Sequence, residues 1–271
     1  MGFVKLRDLP RALGFGLTPR EFGHEVIALP VSGIGDVRLA RWLHPGETPK
    51  TVSDAEIAQL STFLTPGDVA IDIGAHTGDS TIPIALVVGP SGQVFALEPN
   101  PYVFKILAIN ASLNPALTRI TPLMFAAMPQ DGDVEFAYSD NGYCNGGFHQ
   151  TSRWTHGHFA KLRVSGRNLH AWLRREAPNA AARLRYIKID TEGFDRSVVE
   201  SLADLIRATR PFIRSEIHKH MPVAERAAYF RDLQALGYRI FKWEPARYRG
   251  EELREADMTR WKHFDVFAAP A

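Results

Sequence analysis

Four short stretches of the sequence carry side chains able to bind or move charge. Asp72-Ile73-Gly74-Ala75-His76-Thr77-Gly78 sets an acid ahead of two glycines. Glu98, followed by Pro99 and Asn100, stands twenty residues beyond the second glycine. Asp190-Thr191-Glu192-Gly193 and Glu216-Ile217-His218 group carboxylates with an imidazole. Glycines let a backbone turn tightly and approach a ligand that a Cβ would obstruct. A dinucleotide-binding turn wants Gly-x-Gly-x-x-Gly, with its N–H groups on a pyrophosphate. Here the pattern is Asp-x-Gly-x-x-x-Gly, and an aspartate at that place repels a pyrophosphate. The same acid suits a ligand bearing ammonium and sulfonium groups, because opposite charges nearby stabilise each other. A carboxylate at position 98 suits the two hydroxyls of a ribose.

S-adenosylmethionine combines all of these groups. The expected cofactor-binding residues are therefore Asp72, Gly74, Ala75, His76, Thr77, Gly78, Glu98, Pro99 and Asn100, the last two beside the adenine edge. His76 admits two readings: an imidazole titrating near neutrality and making cofactor affinity depend on pH, or a neutral ring whose backbone alone matters. Methyl transfer to a hydroxyl is an in-line displacement at a carbon already activated by sulfonium. The chain must then supply alignment and a proton acceptor. Asp190, His218, Glu216 and Glu192 are the catalytic candidates, with His218 suited to be a general base because imidazole titrates at about 6.5. Asp190, Glu192 and Glu216 equally suit orientation of acceptor hydroxyls, or ligation of a divalent cation that lowers the acceptor's pKa. Glu192 also reads as the N-terminal cap of the helix that follows.

These groups need elements to hold them. Ser53-Asp54-Ala55-Glu56 reads as a capping box opening a helix to about Leu64. Thr65-Pro66-Gly67-Asp68 breaks it, and Val69–Ile73 is an apolar run of the kind buried on both faces of a parallel sheet. Helix 78–88, strand 94–98, helix 101–112 and a strand near 120–125 continue the alternation, with an extra strand at 134–138. Later strands are expected at 186–190, 212–216, 238–242 and 264–268, with helices at about 194–208 and 222–236. Strand and helix alternating with short joints point to a doubly wound α/β sheet, where ligands bind beyond the carboxyl ends of the strands. No helix separates the last two strands, so the final one is expected to pair antiparallel.

The 271 residues carry 32 Lys+Arg against 30 Asp+Glu, a net charge of +2, and 45% are hydrophobic. That is the composition of an ordinary globular chain. The single cysteine, Cys144, excludes an internal disulfide and a multi-thiolate zinc site, and a reducing, cytoplasmic setting is expected. The longest apolar stretch, residues 82–88, falls short of the ~18 residues that a spanning helix needs. Residues 1–50, rich in Gly and Pro, are expected to form an extension packed on a domain at 51–271. Within that domain, residues 139–185 form an expected acceptor lid, with Tyr143, His149 and Trp154 as candidate acceptor contacts. Residues 161–188 carry eight basic residues and one acid, read as a solvated helix face around 168–176 or a place for an acidic acceptor.

The chain resembles the FkbM-type S-adenosylmethionine-dependent methyltransferases over about residues 53–268. The resemblance is carried by Pro66-Gly67-Asp68-Val69, Ile71–Gly78, Val88–Pro101, Asn110, Asn114, Ile187–Gly193, Arg210-Pro211, Glu216-Ile217-His218 and Leu236-Gly237-Tyr238. It implies a class I, Rossmann-like methyltransferase fold with a mostly parallel seven-stranded sheet and an antiparallel last strand. It also implies O-methylation of a sugar or glycosylated natural product. Family members often have asparagine where this chain has His76, and an aromatic or small residue at Asp79. A nucleic-acid amino-methyltransferase would carry an Asn/Asp-Pro-Pro-aromatic tetrad where this chain reads Asp190–Gly193, so no nucleic-acid partner is expected. Two alternatives stay open: a non-catalytic scaffold or glycan-binding protein that keeps the fold, and an acceptor nitrogen, protein or lipid.

Overall fold

A computed structural model of the chain describes residues 21–138 and 160–271. The first described elements are two strands, β1 (His24–Val31) and β2 (Gly35–Trp42), paired as an antiparallel hairpin around Gly33 and Gly35 at positive φ. The sequence reading found no period there. Inward-facing residues alternate along both strands: Ile27, Leu29 and Val31 of β1 join Val37 and Leu39 of β2 in one apolar cluster with Ile82, while the residues between them in β1 are exposed. The hairpin is held by two asparagines further along the chain: Asn110 and Asn114 present their amides to the backbone of Ala40 and Arg38, each accepting from the N–H and donating to the carbonyl. The two amides stand in for a neighbouring strand, at about 1 kcal/mol net per bond.

Helix α1 (Asp54–Leu60) starts as expected, with the Ser53 side chain accepting from the Glu56 N–H at 3.3 Å. The reciprocal half of the capping box is missing. Glu56 instead accepts from the Tyr248 hydroxyl at 3.2 Å. The helix stops before Leu64 because the Ser61 and Thr62 hydroxyls bond back to the Ile57 and Gln59 carbonyls.

The central sheet then builds from β3 (Val69–Ile73), α2 (Thr81–Val88), β4 (Gln93–Leu97), α3 (Pro101–Ser112) and β5 (Ile120–Leu123). After β5 come β6 (Ala126–Ala127), β7 (Gly132–Tyr138) and β8 (Ala160–Arg167), a separate three-stranded sheet in the order β6-β8-β7. Helices α4 (Leu169–Glu176) and α5 (Pro178–Ala181) lead to β9 (Leu184–Ile189). Helices α6 (Asp195–Ser201) and α7 (Ala203–Thr209) follow, then β10 (Phe212–Ile217), α8 (Val223–Ala235), β11 (Tyr238–Lys242) and β12 (Phe264–Pro270).

The order β11-β12-β10-β9-β3-β4-β5 makes a doubly wound sheet whose chain direction of travel reverses between β3 and β9. Among its described strands β12 alone runs antiparallel, inserted between β10 and β11. Side chains alternate across β3: Val69, Ile71 and Ile73 join one apolar layer with Leu169, Leu173 and Val198, whereas Ala70 faces the layer of Leu60, Ile84 and Tyr186. Both faces are covered, which explains the nearly unbroken apolar run.

Two expectations shift. Helix α2 begins at Thr81 rather than 78, because Gly78 still has φ +97°. The helix expected over 194–208 is divided into α6 and α7 at Leu202, whose φ of −100° and ψ of 4° leave the helical region. Of residues 139–185, the described part is β8, α4, α5 and the start of β9, with Leu169 and Leu173 in the core. Tyr143, His149 and Trp154 lie outside the described residues. The basic stretch 161–188 is spread over four elements, β8, α4, α5 and β9, with Arg174 and Arg175 in the last turn of α4, where cations favour the helix dipole. Among the described residues, no helix is long and apolar enough to cross a membrane.

Candidate active site

A cavity of about 590 Å³ opens beyond the carboxyl ends of β3, β4 and β9. Its floor is the turn after β3. Gly74 has φ +75°, and a Cβ there would lie 1.9 Å from the Asp190 carbonyl oxygen, so the loops after β3 and β9 close on each other only around glycine. His76 follows at φ +50°, a region that Asn, Asp and His enter more readily than other residues. That backbone requirement is one a histidine meets. The ring lines the cavity, and burial pushes its pKa down to about 4, so the reading with a neutral imidazole is the one the structure supports.

Glu98, just past β4, lines the same cavity and accepts from the His76 N–H at 3.1 Å and the Asn100 N–H at 2.8 Å. Burial outweighs these two donors and raises its pKa to about 7. Asn100 does not line the cavity. Its side chain accepts from the Tyr102 N–H at 3.0 Å and caps α3. Pro99 does reach the cavity wall. Ala75 is packed against Ala96 and Leu107. The Thr77 carbonyl accepts from Asn110, and a Cβ at Gly78 would lie 3.1 Å from Leu107. These three residues shape the turn from behind.

Asp72 is fully buried beneath the cavity and absent from its wall. Its Oδ2 accepts from the Ser80 and Thr81 hydroxyls at 2.8 and 2.7 Å, fixing the start of α2. Its charge is met by Lys188, directly opposite in the β3–β9 register, with Nζ 3.3 Å from Oδ1. Lys188 also donates to the Gly74 carbonyl at 2.9 Å and lies 3.4 Å from Asp190. Burial alone would lower its pKa, but Asp72 and Asp190 overcome this and hold it charged. The expectation that Asp72 meets a ligand ammonium directly therefore gives way: a resident lysine occupies that charge. The sequence did hold a signal, a lysine inside the apolar run Tyr186-Ile187-Lys188-Ile189.

The segment between β2 and α1 roofs the cavity with Glu47 and Lys50. Lys50 Nζ lies 3.1 Å from Asp79 Oδ2 and 3.5 Å from Glu47 Oε1. Burial raises Asp79, but Lys50 beside it more than compensates and its carboxyl lies below the usual range. No sequence motif pointed to Glu47 or Lys50.

Asp190, Thr191 and Glu192 line the opposite end, together with Arg214 and Trp243. The Arg214 guanidinium sits 3.5 Å over the Trp243 ring and bonds to Asp265 at 2.9 Å. The indole N–H of Trp243 is buried with no hydrogen-bond partner among the described residues. Glu192 has φ +56° and precedes Gly193 at φ +105°, which turns its carboxylate to within 3.2 Å of His218 Nε2. Glu192 is not a helix cap: α6 starts after Phe194 and has no side-chain cap. Glu216 and His218 do not reach the large cavity. His218 lies behind Glu192 and lines a smaller cavity of about 110 Å³, while Glu216 pairs with His263 at 2.5 Å. Burial, then the charges of Asp190, Asp195 and Glu192, raise the Glu216 pKa well above the carboxylate range.

Two residues outside every sequence motif hold this end together. Buried Asp195 accepts from the Thr191 hydroxyl at 2.8 Å, the Gly193 N–H at 3.4 Å, the Ser215 hydroxyl at 3.2 Å and the Glu216 N–H at 3.1 Å. Burial, with help from Asp190, raises its pKa to about 6. Arg226 donates to the carbonyls of His218, Met221, Met258, Trp261 and Lys262, tying the segment after β10 to the one that leads into β12.

A doubly wound sheet of this order, a glycine turn that a Cβ would close, and a carboxylate ending the next strand define a class I S-adenosylmethionine-dependent methyltransferase. The chain matches the methyltransferase FkbM domain over residues 72–240 and belongs to that family. No curated protein matches it in sequence. Similar solved structures include an S-adenosylmethionine-dependent O-methyltransferase from Thermotoga maritima, at 16% identity and a TM-score of 0.44, covering 91% of this chain and 77% of that one. A methyltransferase FkbM from Methylobacillus flagellatus shows 15% identity and a TM-score of 0.41, over 79% of this chain and 51% of that one. Aeropyrum pernix fibrillarin with natively bound S-adenosyl-L-methionine shows 10% identity and a TM-score of 0.43, over 92% and 98%. The residues fit the cofactor: Glu98 for the ribose, the glycine floor for close approach, and the charges of Lys50, Asp79 and Glu47 for an amino-acid zwitterion.

Proposed function

We propose that the enzyme methylates a hydroxyl of a sugar or glycosylated small molecule. The observation that carries this reading is the mixture of groups at the Asp190 end of the cavity: two carboxylates that accept, an unpartnered buried indole N–H that donates, and the flat face of Trp243. A sugar offers hydroxyls for the polar groups and a C–H face for the ring. When bound, the cofactor supplies an electrophilic methyl carbon whose sulfur leaves as a neutral thioether. Asp190 takes the proton of the acceptor hydroxyl as the new C–O bond forms, so neither an alkoxide nor an oxonium charge accumulates on the oxygen. Glu192 orients the acceptor, and His218 acts behind it as a positioning residue, 3.2 Å away. Arg214 holds Trp243 flat against the cavity.

The test is an acceptor screen with a labelled methyl donor and mass-spectrometric assignment of the product. A label on a sugar oxygen is expected, and a label on nitrogen, protein or lipid would overturn the acceptor class. Asp190→Asn is expected to lower kcat by roughly 10² or more while cofactor affinity stays near the wild-type value. A kcat unchanged in that variant removes Asp190 from proton transfer.

A further inference from the structure

We propose that Glu192, Glu216 and His218 form a binding site for a divalent transition-metal ion of the Mn²⁺ type, at the wall of the large cavity that Glu192 lines. This goes beyond the methyl-transfer reading and does not depend on it. One ligand atom from each residue lies within 4.8 Å of the other two, the spread expected of donors around a single ion. The three come from two elements: β10 carries Glu216 near its end and His218 just past it, and the left-handed turn at Glu192 and Gly193 brings in the third.

The charges around the group are unbalanced. Among the described residues, neither Glu192 nor Glu216 has an ion pair with lysine or arginine. Their partners are histidines, His218 for Glu192 and His263 for Glu216. Glu216 is only 6% exposed, and its Oε2 is buried with no hydrogen-bond partner among the described residues. A buried carboxylate oxygen without a donor is costly. A cation between the two glutamates removes that cost.

The surroundings have the form of a supporting shell. Asp195 accepts from the Gly193 N–H and the Glu216 N–H, so one buried carboxylate fixes the backbones of two of the three ligands. Arg226 fixes the third by donating to the His218 carbonyl at 2.9 Å. Such partners hold ligands in place before an ion arrives. The cavity of about 110 Å³ lined by Glu192, His218 and His220 adjoins the group and offers a way in. Two carboxylates with one imidazole, and no thiolate, suit Mn²⁺ better than Mg²⁺ or Ca²⁺, which favour oxygen alone. Because Glu192 lines both cavities, an ion here would brace the wall between the smaller cavity and the acceptor end.

The experiment uses the full chain, stripped of metals with a chelator and titrated with Mn²⁺, followed by electron paramagnetic resonance. One saturable site per chain is expected, weakened roughly tenfold or more in Glu216→Gln and in His218→Ala, and unchanged in Glu47→Gln on the far side of the large cavity. Spin-echo spectra of the wild type are expected to show coupling to an imidazole nitrogen, a readout that needs no variant to fold. No saturable site at millimolar Mn²⁺, a bound ion without nitrogen coupling, or folded variants that bind as the wild type does would each overturn the proposal. S-adenosylmethionine titrated into the same samples separates loss of this site from loss of the cofactor.

Discussion

The two ends of the large cavity are built by different means. At the Gly74–Glu98 end, neighbouring residues and main-chain atoms do most of the positioning: a turn at positive φ, two backbone N–H groups on one carboxylate, and a helix cap two residues further on. At the Asp190–Glu192 end, side chains from four elements meet, and the network passes through buried Asp195, Lys188 and Arg226. A local motif constrains the backbone of the first end. The second end exists only once the sheet has formed, because β9 and β10 become neighbours there.

The largest effect is expected where the two ends share one charge. Lys188→Met leaves Asp72 buried without its cation and should cost about 3–5 kcal/mol of unfolding free energy by denaturant titration. The double variant Asp72→Asn, Lys188→Met should cost clearly less than the sum of the single changes, since the two residues act as a pair. Additive losses would show that the ends are independent. Gly74→Ala comes next. Its Cβ would strike the Asp190 carbonyl, and a loss of about 3 kcal/mol is expected, together with loss of cofactor binding by calorimetry. A stable, cofactor-binding Gly74→Ala protein would break the claim that the floor is set by backbone approach.

How much of this was legible in the sequence follows the same division. The glycine turn, Glu98 and the strand–helix alternation are written in adjacent residues, and the structure places them close to where the spacing predicts. Partnerships across strands have no such spacing. Asp72 reads as a ligand for a cation because the sequence does not show that Lys188 lies opposite it in register. His218 reads as a base in the acceptor site because it follows β10, yet the left-handed turn at Glu192 puts a carboxylate between it and the large cavity. The hairpin of β1 and β2 escaped because its inner edge is completed by two asparagine side chains, Asn110 in α3 and Asn114 just past it, and not by another strand.

A smaller effect separates the two titrating groups near the cofactor. Burial lowers His76 to about 4, so it stays neutral across the working range, whereas Glu98 titrates at about 7. The folded pKa of Glu98 exceeds its ordinary value of 4.5, so its contribution to stability is present at acid pH and is lost as pH rises through about 7. Ribose hydroxyls donate to the ionised form. Cofactor affinity is therefore expected to rise between pH 6 and pH 8, about tenfold per unit below the pKa. His76→Asn should keep that profile, and a flattened profile in His76→Asn would assign the titration to the imidazole.

The central claim, that the cavity between β3 and β4 holds S-adenosylmethionine through Glu98, is tested most directly by calorimetric titration of the cofactor into the wild type and Glu98→Ala. One site per chain in the wild type is expected, with affinity reduced by roughly tenfold or more when the hydrogen-bonding carboxylate is removed. No binding by the wild type, or equal affinity in both proteins, would contradict it.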